Sequence, residues 1–229
     1  MGWLTDNRRF AWTVFIITAL VFSLYGIQRV NVCLSAGYDL GIFDQAIGRM
    51  AHFQQPIVTL KGDDYDIRAD HFHPILALWV PLYWIWDNIR VLCIGQGLVV
   101  AATVFPLWRF ARRHFTSSRW AKLFALAVTL FWPIQSLIDY EVHEIAFAVP
   151  LLALVVDALD RRDDLTLVIC SGLLLCVRED MGVVVFMVGL VRLVWSARRI
   201  AATAAATAVL GRGSSDTTLV TRAIDGGGA

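Results

Sequence analysis

Charge is what this chain has least of. Only 17% of its 229 residues are Asp, Glu, Lys or Arg, where soluble domains carry about 25%. The formal net charge is +1, which excludes the basic footprint of a nucleic-acid-binding protein. Four cysteines are too few for a secreted disulfide scaffold. No internal repeat is visible, so an inverted-repeat transporter gains no support from symmetry. Chain-long disorder is excluded too, because Leu, Val and Phe abound where disordered chains carry charge.

What is abundant is apolar: 58% of the residues are hydrophobic and the mean hydropathy is +0.62. This composition implies an all-α integral membrane protein, since a spanning segment must satisfy its backbone internally. Phe10–Gln28 is an uncharged run of 19 residues. At about 1.5 Å per residue it crosses a hydrocarbon core of roughly 30 Å. Arg8 and Arg9 precede it, which predicts a cytoplasmic N-terminus. No small-residue cleavage site follows, so we read it as an uncleaved first helix. Further runs are Val91–Trp108, Leu123–Ile138, Ile145–Val156, Leu165–Val177 and Met181–Val191. Pro106, Pro133 and Pro150 fall inside these runs and are expected to kink them.

Ile75–Trp86 decides the topology. Its 12 residues suit an interfacial segment better than a span. If it spanned, Arg109, Arg112, Arg113, Arg119 and Lys122 would fall outside, against the positive-inside rule. Laid on the outer surface, with Trp79, Tyr83, Trp84 and Trp86 at the interface, it puts every basic cluster inside. The expected architecture is a polytopic helix bundle of about six spans in the plasma membrane, both ends cytoplasmic. The transmembrane domain is 1–199, with a first outer loop over 29–74 and an interfacial helix over 75–86. Residues 200–229 form an Ala/Gly-rich tail expected to be disordered. Acids outnumber bases on the outer side, and His52, His71, His73 and His143 lie there as well.

Four outer blocks could carry chemistry. In Tyr38–Gln45, apolar residues at helical spacing (Leu40, Phe43, Ile47, Met50) predict a short amphipathic surface helix. Asp39 is either its N-cap or a working carboxylate, and Asp44 either lies on a solvated face or works beside it. Asp63, Asp64 and Asp66 lack the rest of a calcium loop. Asp70, His71 and His73 pair a carboxylate with an H-x-H motif, a set that could hold a divalent metal ion or simply pin the loop. In Asp139–Glu144, Asp139 and His143 stand one helical turn apart, so the acid could orient the imidazole; the alternative is a polar turn. Arg178, Glu179 and Asp180 come only 13 uncharged residues after Asp164. Charges that near a span are costly and usually functional, and the Arg178 fork suits a phosphate; the alternative is an internal ion pair. Cys33 and Cys93 lie near the outer side and could pair, while Cys170 and Cys176 are packing residues.

The blocks YDLGIFDQA (Tyr38–Ala46), HFHPILALWVPLY (His71–Tyr83), AFAVPLLAL (Ala146–Leu154) and VREDMG (Val177–Gly182) resemble an uncharacterised family of predicted membrane proteins, a domain of unknown function grouped with the glycosyltransferase C superfamily. The likeness runs from about Phe10 to Arg199. It implies transfer of a sugar from a polyprenyl-phosphate donor on the outer face. The general base would be Asp39 or Asp44, and Arg178 would stabilise the departing phosphate with His71 or His73 second. Arg178, Glu179, Asp180, Asp139, His143 and Glu144 would bind substrate. A divalent ion at Asp70, His71 and His73 could assist, though many superfamily members need none. Members are longer, so the resemblance also implies a truncated chain, for which a longer membrane partner is expected. Two readings compete with the enzyme: a transporter or lipid flippase, and a non-catalytic membrane subunit.

Overall fold

The computed structural model describes residues 2–34, 37–198 and 201, with the backbone alone for 2–7. The expected tail therefore lies outside the described residues but for Ala201. Among the described residues the regular structure is helical, apart from one isolated antiparallel bridge between Ile57 and Asp66. The helices are α1 (Gly2–Asn31), α2 (Tyr38–Ala51), α3 (Val80–Ile85), α4 (Arg90–Ala101), α5 (Val104–His114), α6 (Ser118–Thr129), α7 (Trp132–Tyr140), α8 (Ala148–Arg161) and α9 (Asp164–Leu175). A tenth, α10 (Met181–Arg198), follows. The chain divides into two compact units, Met1–Gly182 and Val183–Ala229, and the description below concerns the first.

Among the described residues, four helical stretches are long and apolar enough to cross a membrane: Arg8–Asn31, Arg90–His114, Ser118–Tyr140 and Met181–Arg198. The described part of the chain is thus that of an all-helical membrane protein with four candidate spans. The remaining two expected spans fall in α8 and α9, whose 14 and 12 residues are short of the roughly 20 that a bilayer core asks for.

The prolines act at joints rather than in mid-helix. Pro106 and Pro133 have no N–H for the carbonyl four residues back, and the helix is interrupted at 102–103 and 130–131, just ahead of each. Two stretches of spanning length are therefore each built from two helices, α4 with α5 and α6 with α7. Pro150 sits in the first turn of α8, behind the 3₁₀ turn Glu144–Phe147.

The closest helix pairing is α1 against α4, made by small residues. A Cβ on Gly97 would lie 2.4 Å from Ser23 Oγ and 2.9 Å from the Ser23 backbone nitrogen, and one on Gly26 would lie 3.1 Å from Cys93 Cβ. Cys93 and Gly97, four residues apart on α4, face Gly26, Ser23 and Ala19 on α1, the small-residue seam by which helices approach in lipid. Phe22, Val100, Ile134 and Ile138 close a core among α1, α4 and α7. Ala11, Trp108, Ala111, Ala121 and Ala125 close another among α1, α5 and α6.

Side-chain bonds define two ends. At one, the loop end, Arg90 Nε donates to Asn31 Oδ1 at 2.8 Å and Arg29 to Asp139 at 2.6 Å. At the other, the arginine end, Asp157 is fully buried and accepts from Arg109 (2.7 Å), Arg113 (2.6 Å) and Arg161 (3.2 Å). Asp160 adds bonds to Arg113 and His114. Asp157 lies within α8 and is fully engaged with arginines, as a structural clasp between α5 and α8 would be.

One expectation is corrected: all four cysteines are free; Cys93 is buried while Cys33 is exposed, so the pairing does not form. The segment 75–86, expected as an interfacial helix, lies in a short apolar helical stretch, Pro74–Ile85, which opens as a 3₁₀ turn, Pro74–Trp79, and continues into α3, with Pro81 just inside α3. Its aromatics divide: Trp79 and Tyr83 are buried in protein, and Trp84 and Trp86 are exposed.

Candidate functional site

The expected amphipathic helix is α2. Its apolar stripe, Leu40, Ile42, Phe43, Ala46 and Ile47, is buried. The N-cap is Gly37, whose φ of 78° is left-handed, a conformation glycine adopts without cost. Asp39 therefore lies in the first turn and is not the cap. Instead the Glu141 carboxylate receives the Gly37 N–H at 2.7 Å and the Leu40 N–H at 2.8 Å. Gln96 on α4 steadies the strap carrying that acid: its Oε1 accepts from the His143 N–H (2.9 Å) and its Nε2 donates to the Glu141 carbonyl (3.2 Å).

Asp39 and Asp44 point to different neighbours. Asp39 accepts from the Tyr140 hydroxyl at 2.8 Å. The adjoining Asp139 accepts from Tyr25 and Arg29 and does not approach His143 as the i, i+4 spacing suggested, because α7 ends at Tyr140. The cavity on this flank, bounded by Arg29, Leu40, Gln96 and Tyr140, holds about 20 Å³, room for about one water.

Asp44 instead opens into a polar cleft of about 440 Å³, lined by Gln45, Arg49, His52, Gln54, Tyr83 and Asp87. The Tyr83 hydroxyl donates to Asp44 Oδ1 at 2.6 Å. Partial burial pushes the Asp44 carboxyl above its ordinary range; the Tyr83 bond opposes this and the Asp87 charge adds to it. Burial and Asp44 also raise the Tyr83 phenol, which stays a donor.

Where the first loop meets Met50 of α2 the chain forms a mainly apolar groove of about 340 Å³. Met50, Ile67, Pro74 and Leu76 are in its walls, and its polar members are Arg68, His71 and His73. His73 is only 6% exposed, and neither ring nitrogen has a hydrogen-bond partner. Burial pushes its pKa down against the pull of Glu144, so the imidazole is neutral at physiological pH.

Behind the groove the sequence-distant blocks converge. His71 Nδ1 lies 2.7 Å from Glu179, which also accepts from the Phe72 N–H at 3.0 Å. The His71 contact pulls the Glu179 carboxyl down to about 2. His143 Nδ1 lies 2.7 Å from the buried Glu144, and Arg178 lies 3.8 Å from Glu144 while bonding Asp180. The Phe43 ring sits edge-on between the His73 and His143 rings. The Ile75 N–H bonds the Cys176 carbonyl at 3.0 Å, which locks the first loop to the turn bearing Arg178.

The proposed metal donors do not converge. Asp70 is held by Lys61 and accepts from Tyr65 at 3.3 Å; burial raises its carboxyl, and Lys61 outweighs that to leave it below the ordinary range. His71 is engaged with Glu179 and His73 is buried. Among the described residues no three His, Cys, Asp or Glu side chains gather as a metal site would require, and no step is derived through a metal. Sequence reasoning overlooked Arg68, Asp87 and the partnership of Tyr83 with Asp44, and placed His52 only among the outer histidines. Tyr83 carried a signal, as the polar member of an aromatic run; Arg68 and Asp87 are single residues without periodicity.

Neither a curated protein nor a solved structure matches the chain. One family does, described as a predicted membrane protein family, DUF2079, over residues 29–222. The match carries no link to the glycosyltransferase C superfamily. It starts later than the resemblance placed it and takes in most of the 200–229 segment. The chain belongs to the DUF2079 family of predicted membrane proteins.

Proposed function

We propose that the protein is a glycosyltransferase C-like enzyme that moves a sugar from a polyprenyl-phosphate donor at the outer face of the plasma membrane, with its N-terminus cytoplasmic. The observation that carries this reading is the position of Asp44. It is a half-buried carboxylate of raised pKa on a helix that borders a polar cleft and, at Met50, an apolar groove. Gly48 and Arg49 border the cleft and the next residue, Met50, borders the groove. A lipid-phosphate donor and a hydroxyl acceptor need these two environments side by side.

In this scheme the lipid lies in the groove with its phosphate toward Arg68 and His71. Asp44 takes the proton of the acceptor hydroxyl as that oxygen bonds the anomeric carbon. The anomeric carbon–oxygen bond to phosphate breaks, and the phosphate leaves with the electron pair. A carboxylate held at a raised pKa is the stronger base for the first event, and Arg68, which borders the groove and also pairs with Asp66, offers positive charge to the second. Arg178, paired with Asp180 and near Glu144, does not border the groove, and its part is to brace the His71–His73 wall together with Glu179, Glu144 and His143. The concentration of bases at the arginine end supports the orientation.

The test is transfer from radiolabelled polyprenyl-phosphate hexoses by the full chain in nanodiscs. Asp44→Asn is expected to lower the rate about 100-fold or more, while Asp39→Asn stays within a few-fold of the parent. A folded Asp44→Asn protein that transfers at the parental rate overturns the assignment.

A further inference from the structure

The Asp44 cleft has a lining that a lipid does not need. Its side chains alternate in hydrogen-bonding sense. Asp44 receives one bond among the described residues, from Tyr83, at Oδ1, which leaves Oδ2 to accept. Gln45 spends its carbonyl oxygen on the Thr59 N–H (2.9 Å) and hydroxyl (3.3 Å), so its amide nitrogen is the half available to donate. His52 Nδ1 lies 2.8 Å from the Gly48 carbonyl. A carbonyl can only accept, so that nitrogen carries the hydrogen, and Nε2 is turned to the side of Asp87, 3.8 Å away. Arg49 adds donors and Asp87 adds acceptors. Donors and acceptors interleaved in one open cleft match a ligand whose every group both donates and accepts, which is the chemistry of neighbouring hydroxyls. Two carboxylates against one arginine disfavour an anionic ligand.

Beside the cleft stands an aromatic pair. Trp84 follows the cleft residue Tyr83, and Phe53 lies between the cleft residues His52 and Gln54. Their rings stack, with centroids 6.2 Å apart and planes 27° from parallel. Both are open to the surroundings, Phe53 at 89% exposure. Trp84 is fixed by its Nε1–H bond to the Ala51 carbonyl at 2.8 Å. Phe53 is the left-handed residue (φ 57°) of the cap that ends α2, with the Phe53 N–H on the Met50 carbonyl (3.0 Å) and the Gln54 N–H on the Arg49 carbonyl (2.9 Å). The helix terminus thus fixes where the exposed ring stands beside the polar cleft.

We propose that this cleft and its Phe53–Trp84 platform bind a neutral, hydroxyl-rich ligand, a glycan segment reaching the protein from water. The aromatic faces stack on the apolar faces of the sugar rings while the cleft side chains take the hydroxyls. The proposal rests on the transferase reading for one point, that the glycan is the acceptor whose hydroxyl meets Asp44; binding itself requires no transfer.

The experiment is a calorimetric titration of the full chain in nanodiscs with neutral tetrasaccharides (maltotetraose, cellotetraose and chitotetraose) and with a hyaluronan tetrasaccharide as the anionic control. Saturable binding of at least one neutral probe, tighter than the anionic one, is expected. Trp84→Ala and Asp87→Asn should each weaken it about tenfold or more. Trp84→Phe, which keeps a stacking ring and guards against misfolding, should retain most of the affinity. Binding that none of these changes alters overturns the proposal, as does no binding of any neutral probe. Strong quenching of Trp84 by brominated lipids in the nanodisc, measured against Trp84→Phe, also overturns it by assigning the platform to the bilayer. If oligosaccharide binds as expected but the full chain transfers no sugar, the transferase reading fails and the glycan site stands; if transfer survives Asp44→Asn, only the assignment of Asp44 as the base fails.

Discussion

The Glu141 carboxylate caps a helix whose third residue, Leu40, lies 101 residues earlier, accepting the Leu40 N–H at 2.8 Å with one oxygen and the Gly37 N–H at 2.7 Å with the other. A helix N-terminus leaves backbone N–H groups without partners and carries a partial positive charge. One buried carboxylate answers both, and it ties the helix bearing Asp44 to the strap that also bears His143 and Glu144.

Glu141→Ala should therefore loosen the site without touching it. Losing a cap costs about 0.5–2 kcal/mol, and stranding two N–H groups brings the total to about 1–3 kcal/mol. The expected result is a lowered thermal midpoint in detergent together with faster proteolysis inside residues 38–51. Glu141→Gln, which keeps one accepting oxygen, should fall between the variant and the parent.

The α1–α4 seam gives a second prediction. Gly97→Ala places a methyl group 2.9 Å from a backbone nitrogen and 3.2 Å from the Ala19 carbonyl oxygen, atoms that cannot swing aside. The helices must part, at a cost of about 1–3 kcal/mol. Gly172→Ala is the matched control on α9, where an added Cβ meets nothing within 4 Å. It should leave the midpoint unchanged or raise it, since alanine is the better helix former. Thermal unfolding of the two proteins side by side decides this.

Much of the fold was legible because lipid imposes local rules. An uncharged run of spanning length has no alternative to helix, so α1 and the stretches containing α4–α5 and α6–α7 could be read directly. So could α2, from the spacing of Leu40, Phe43 and Ile47. The gathering of His71 and His73 with His143, Glu144, Arg178 and Glu179 was legible only as a shared side, from charge counting; the contacts themselves depend on how the loop folds back. The division of Asp39 from Asp44 could have been suspected, since five residues turn a helix through about 140° at 3.6 residues per turn. Tyr83 was misread because an aromatic run looks the same whether its rings face lipid or protein. Glu141 was passed over because a cap supplied from another helix leaves no sequence signature.

At the arginine end, Arg113 holds both Asp157 and Asp160, whereas Arg109 holds Asp157 alone and is half exposed. Removing a partner from a buried charge is expensive because the charge remains. Arg109 and Arg161 stay to share it, so Arg113→Met should cost about 1–3 kcal/mol, and Arg109→Met should cost less. If the clasp joins α5 to α8 as described, Asp157→Asn with Arg113→Met should cost less than the two single losses added. A double-mutant cycle on the unfolding midpoints measures that coupling.

The pH dependence of transfer tests the assignment of Asp44 most directly. A base works only when deprotonated, so activity should rise with pH through the Asp44 pKa. Burial places that midpoint above the ordinary aspartate value of 3.8. The two neighbours act in opposite senses: the Tyr83 bond stabilises the carboxylate, and the Asp87 charge repels it. Tyr83→Phe should therefore move the rising limb to higher pH and Asp87→Asn to lower pH, a split that general damage to the cleft would not produce. The same shift has a sign for stability. A carboxyl whose pKa is raised on folding favours the folded state below its unfolded pKa, and that advantage disappears as pH rises through the folded value. Asp44→Asn should consequently unfold at a slightly higher temperature than the parent at neutral pH while losing transfer. A pH–rate limb that stays fixed in both neighbour variants would assign the titrating group elsewhere.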